Sequence, residues 1–271
     1  MSHHLVDIAP GVAVWLADAP DRGRPNSGLV LDDDGAFTVI DAQPAPSAAA
    51  SLLAAIEPGR VRRLVVTASH VEHAGGSRAF TMAGVYGSAT ASTNLDLPPN
   101  RQGYARMLPE FAAEYADLET RAVSHTVTDP AWLGATAVAV PAEGHQRDNL
   151  VVQVPGTDVV FAGAMATFGV TPIAFDGDPG RWADALDQVL ELGRIVVPGH
   201  GHLGGVDDVI ALQAYLWACV EADGDAGAIP AGPWDDWPGR QWDVVNVERA
   251  AMLAAGDESP PPSMLRAMGI G

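Results

Sequence analysis

Apolar residues fill 12–16 and dominate 27–31 and 37–40, with Asp32, Asp33, Asp34 and Gly35 between the last two. This spacing predicts three short strands, the second and third joined by a hairpin turn. Residues 47–56 are small and apolar between Pro46 and Pro58, which predicts a helix. A buried strand is expected over 62–67, and a further short one ending at Tyr86. The second half repeats the style. Strands are expected over 135–140, 150–154, 159–162 and 195–197, and a long helix over 207–222. Residues 181–192 place Trp182, Leu186, Val189 and Leu190 at helical spacing, the mark of an amphipathic helix. Strands that alternate with helices in this way indicate an α/β fold.

Two stretches break the rhythm. Residues 98–133 form an insertion in which Tyr104, Leu108, Phe111, Tyr115 and Leu118 recur on one face of a helix expected over 101–120. It reads equally well as a packed surface helix and as a lid over a site. Residues 223–233 resemble a linker, and Trp234, Trp237 and Trp242 follow before a short helix near 244–255. Three tryptophans so close together favour docking onto the body. The expected organisation is a main body over 1–222 that carries the 98–133 insertion, and a Trp-rich extension over 223–271.

Composition narrows the partners. Asp and Glu number 34 against 15 Lys and Arg, a formal net charge of −19. Such a surface repels nucleic acid and anionic membranes, so a small-molecule substrate is expected and neither of those partners is. No apolar run reaches the length of a membrane span, and the N-terminus lacks the pattern of a secretory signal. Cys219, the only cysteine, lies in an apolar helical stretch and reads as a buried structural thiol. These features point to the cytoplasm. Oligomeric state is left open.

The chemistry concentrates in histidines that follow strands. Thr67, Ala68, Ser69, His70, Val71, Glu72 and His73 lead into Gly75 and Gly76, directly after an apolar run. Gly144 and His145 follow a second strand, and Pro198, Gly199, His200, Gly201 and His202 follow a third. Histidines brought to strand ends from separated parts of a chain suit a metal centre or an acid–base site.

In order and context these motifs resemble the metallo-β-lactamase fold superfamily, which includes glyoxalase II and many hydrolases. The resemblance spans roughly residues 10–220 and implies a four-layer αββα sandwich. The family signature is Thr-His-x-His-x-Asp-His followed by Gly-Gly. This chain has Ala68 at the first histidine and Glu72 at the aspartate. The family's later Gly-Asp, whose carboxylate bridges two metals, falls on Gly163 and Ala164. The resemblance implies a first site that keeps His70 and His145 but lacks a ligand at Ala68. It implies a second site that keeps Glu72, His73 and His200.

Two divalent ions with one matching carboxylate between them would repel strongly. The expectation is therefore a mononuclear site, with zinc the simplest ion, iron the alternative, and a metal-free site also open. Asp148 and His202 are candidate substitutes, although each reads more simply as a solvated loop residue. Catalytic roles fall on Glu72, His70 and His145. The leading expectation is a metal-dependent hydrolase of a small ester, thioester or lactone. The alternatives are a metal-free acid–base enzyme (a dehydratase, cyclase or isomerase), a non-catalytic binding or scaffold protein, and, as a minor reading, an iron oxygenase.

Overall fold

The computed structural model describes residues 3–19 and 23–270. Seven strands form one sheet in chain order: β1 (His3–Ala9), β2 (Val12–Ala17), β3 (Ser27–Leu31), β4 (Phe37–Ile40), β5 (Val61–Val65), β6 (Gly84–Gly87) and β7 (His125–Thr126). The first four pair antiparallel and the rest parallel. A second sheet has the order β12-β11-β10-β9-β8, built from β8 (Ala131–Trp132), β9 (Val138–Ala142), β10 (Asn149–Val154), β11 (Val159–Phe168) and β12 (Ile195–Gly201). The helices are α1 (Pro46–Ala54), α2 (Val71–Ala74), α3 (Ala89–Leu95), α4 (Arg101–Met107), α5 (Ala112–Tyr115), α6 (Pro179–Leu192), α7 (Val206–Glu221), α8 (Asp243–Ala254) and α9 (Pro262–Met268).

The apolar runs are continuous because both faces of each sheet are covered. Along β11, Val159 and Phe161 face the other sheet, while Val160 and Ala162 join Leu186 and Leu212 beneath α6 and α7. On the first sheet Ile40 and Val65 face inward, and Val39 and Leu64 pack with Ala49 and Leu52 of α1. The period-two alternation of strand side chains thus yields an αββα sandwich, as the family resemblance implies.

Several elements depart from the sequence pattern. The helix expected over 101–120 is broken into α4, a short 3-10 turn at Pro109–Phe111 and α5. Pro109 lacks the amide hydrogen a continuing helix needs, and it pushes Leu108 to φ −130° and ψ 71°. The insertion also supplies the edge strands β7 and β8. Strand β11 runs ten residues, past the expected end at Ala162 and through Gly163 and Ala164, with its register against β12 shifted on either side of Gly163. β1 and α9 had no clear sequence signal. The extension packs against the body: Trp234 is buried with its ring 5.8 Å from that of Tyr215 on α7.

Candidate active site

Strand ends build one side of the site. β4 delivers Asp41, held at φ 65°, and β5 leads into Thr67 beside it. Asp41 accepts hydrogen bonds from the Thr67 amide and the Thr67 hydroxyl, both at 2.8 Å. Its Oδ2 also lies 2.8 Å from Nδ1 of His73, and both side chains are 1% exposed. A buried carboxylate at that distance fixes the tautomer: Nδ1–H donates to Asp41, and Nε2 is the nitrogen left for other chemistry.

His73 sits on α2, a single turn that begins after His70. The turn lies tight against the segment between β4 and α1, since a Cβ on Gly75 would fall 1.9 Å from the Pro44 carbonyl oxygen. His200 comes from β12, where Asn26 braces the chain by donating to the carbonyls of Pro198 (3.0 Å) and Gly201 (2.9 Å).

Glu72, His73 and His200 come together here. Each offers a donor atom, and these atoms lie within 4.8 Å of one another, the only such trio of His, Cys, Asp or Glu among the described residues. Two imidazoles and a carboxylate fit a divalent zinc or iron ion. The Asp41–His73 bond is the outer support that metal-bound histidines use.

His70 and His145 stand beside this trio in a different arrangement. Their rings meet edge to face at 4.8 Å, and His145 packs on Trp182 at 5.0 Å and lies 6.5 Å from His73. His70 stacks on Phe175 at 4.9 Å, and its Nε2 is 3.0 Å from Oδ2 of Asp176. The Gln146 amide donates to the same oxygen at 2.9 Å, while its carbonyl accepts from the Ser69 amide at 2.9 Å. Ala68 is fully buried and Ala164 nearly so. The Ala164 amide donates to the Thr67 hydroxyl at 3.0 Å, tying β11 to the Asp41 system.

The opposite side comes from a body loop held by the extension. The loop 172–177 carries Phe175 and Asp176, and α8 holds it. Asn246 accepts from the Ala174 amide (2.8 Å) and donates to the Pro172 carbonyl (2.9 Å). Arg249, only 7% exposed, donates to the carbonyl of Gly177 at 2.8 Å and, from its other arm, to Glu258 and Ser259. Between the two sides lies a cleft of about 490 Å³, walled by His70 and Glu72, by Tyr104 and Met107 of α4, and by Trp242 and Met264 of the extension. Burial first, then the carboxylates of Glu72 and Asp176, push the Tyr104 hydroxyl up to about 12, so it stays protonated at neutral pH.

Asp148 and His202 lie outside this group. Asp148 accepts from the Thr90 amide at the start of α3, and His202 is solvent-exposed and paired with Asp208 at 2.8 Å. Asp41, Gln146 and Asp176 belong to the site, and sequence reading did not single them out. Asp41 had a usable signal, since it directly follows an apolar strand, as Thr67 does. Asp176 had none. With Asp41 and Asp176 near the histidines, the site holds more negative charge than the signature positions alone supply.

The description of the metallo-beta-lactamase superfamily matches residues 20–200. A metallo-beta-lactamase type 2 from Bacillus sp. (strain 170) is 27% identical over 191 residues, covering 66% of this chain and 68% of that relative. A protein of the same name from Bacillus cereus is 26% identical over the same shares of the two chains. Among solved structures, the metallo-beta-lactamase FIM-1 from Pseudomonas aeruginosa, in a mono-zinc form, is 18% identical with a TM-score of 0.61, covering 85% of this chain and 98% of that one. At such identity the likeness speaks for the fold.

Proposed function

The chain belongs to the metallo-β-lactamase superfamily, and on that premise we propose that it is a hydrolase working with one divalent metal, zinc in the simplest case, on a small ester, thioester or lactone. One observation carries the reading: Glu72, His73 and His200 converge, and His73 is already braced by buried Asp41. Glu72, His73 and His200 would hold the ion, which when bound supplies Lewis acidity to water and to a carbonyl oxygen. Asp41 keeps the His73 ring turned so that Nε2 faces away from the Nδ1–H bond. His70 lies on the cleft wall with its Nε2 3.0 Å from Oδ2 of Asp176, an imidazole–carboxylate pair suited to taking up a proton released in hydrolysis. The apolar wall thins the water around the reacting carbonyl.

Tag-free protein should contain close to one zinc per chain. A chelator should abolish ester or lactone turnover, and added zinc should restore it. His73→Ala and His200→Ala, with circular dichroism unchanged, should each lose on the order of a thousandfold or more in kcat/KM. Metal-free protein with full activity would overturn the proposal. The His70–Asp176 pair favours a second reading, a metal-free acid–base enzyme, which predicts turnover indifferent to chelator.

A further inference from the structure

The cleft carries more information about substrate than the donor trio does. Met107, Ile173, Phe175, Trp242, Met264 and Met268 line it, drawn from α4, the 172–177 loop and the extension. Met264 and Met268 stand four residues apart and so share one face of α9. Thioether chains are flexible and polarisable, and such walls adapt to apolar chains of differing shape. The same residues form the open flank of a small hydrophobic cluster centred on Ile173, Val245 and Met264. Folded interiors leave few voids larger than a water molecule, so a cleft of about 490 Å³ beside such a cluster has the size and lining of a ligand site.

Charge selects further. Glu72 and Glu110 place two carboxylates on the wall, and His70 is the only basic side chain among the described lining residues. The chain contains no lysine, and its net charge is −19. With Glu72 offset by the metal it would hold, an anionic substrate would still meet repulsion from Glu110 on the wall and from the net charge at long range. An uncharged one would not.

We propose that this cleft takes an uncharged ester or lactone bearing a medium-length apolar chain, with the chain lying against α9, Trp242 and Met107 and the carbonyl turned towards Glu72 and His70. This inference rests on the hydrolase reading for its chemistry but not for its binding step, and the two separate experimentally. Zinc-supplemented protein is assayed with p-nitrophenyl acetate, butyrate, hexanoate and octanoate, and with benzylpenicillin as the anionic probe. Binding of methyl n-alkyl ketones of matching length, which cannot be hydrolysed, is measured by calorimetry on the same protein.

Expected is a rise of roughly three- to fourfold in kcat/KM and in ketone affinity per added methylene until the cleft is filled, with benzylpenicillin the poorest substrate. Met268→Glu and the milder Met107→Gln should each flatten that slope while zinc content and circular dichroism stay unchanged. A ketone slope without ester turnover would sustain the binding inference and defeat the hydrolase reading. Ester turnover with no dependence on chain length in either series, or a preference for benzylpenicillin, would overturn the inference and leave the hydrolase reading standing.

Discussion

The two sides of the cleft are assembled by different means. On the β side, Asp41 and Thr67 come from neighbouring strand ends of one sheet and His73 from the single turn of α2 just beyond, and their bonds are short, buried and closed upon one another. On the facing side, Phe175 and Asp176 sit on a loop held in place by Asn246 and Arg249, some 70 residues further along the chain. The first arrangement is local to a sheet edge and makes a preorganised donor set. The second is a clamp between distant segments, and it makes a wall. A site built this way can change its wall without disturbing its donors.

The sharpest test removes Asp41. Leaving a buried hydrogen-bond donor unpaired costs about 1–3 kcal/mol, and Asp41 serves the Thr67 amide, the Thr67 hydroxyl and His73 Nδ1, so Asp41→Ala should lower the denaturation midpoint markedly. Losing an outer partner of a metal-binding histidine costs roughly 10–100-fold in affinity, and a competition titration with zinc would read that loss in any folded fraction. An Asp41→Ala protein with unchanged zinc affinity would detach the carboxylate from the metal role given to His73.

Next in size is Ala164→Asp. A carboxylate placed at this buried position should cost about 3 kcal/mol in metal-free protein, and zinc should recover much of it. Adding Ala68→His overpacks a fully buried site by about 1–3 kcal/mol, yet the pair should raise zinc stoichiometry towards two. A folded double variant that still binds one ion or none would count against the alignment of these two positions with the family ligands.

Arg249→Met probes the other wall. It leaves the buried Gly177 carbonyl without its donor, at about 1–3 kcal/mol. The displaced 172–177 loop should reduce kcat/KM roughly ten- to a hundredfold, with zinc content intact. A parallel loss of zinc would show that the two sides are coupled, contrary to the comparison.

The smallest effect is a reporter. Burial pushes the Cys219 thiol up to about 12, so it stays protonated and should ignore a thiol reagent at pH 8 in native protein and react at once in denaturant. Cys219 lies in the cluster that includes Trp234 and Val247 of the extension. A variant whose extension lifts away should therefore expose it, and reaction kinetics would show this.

Sequence pattern reached unevenly into these two regions. The α/β character was legible because apolar strands and amphipathic helices repeat over short distances, as in 159–162 and 181–192, whereas the αββα layering followed from the resemblance to the family. His70, Glu72, His73, His145 and His200 were legible because each follows an apolar strand. The broken helix after Met107 could have been read from Pro109, but the periodic face formed by Tyr104, Leu108 and Phe111 masked it. Asp176 and Arg249 left no pattern, because their roles depend on a contact that no local spacing encodes.

The residues alone determined which side chains could reach the strand ends, since a strand followed by a tight turn is a local property of the chain. Tertiary structure decided that Glu72, His73 and His200 share one space, that Asp41 backs His73, and that His70 turns to Asp176. It also decided that the extension closes an apolar wall over them. Those outcomes depend on distances across the packed sheets and the α8 clamp, and such distances exist only once the polymer has folded.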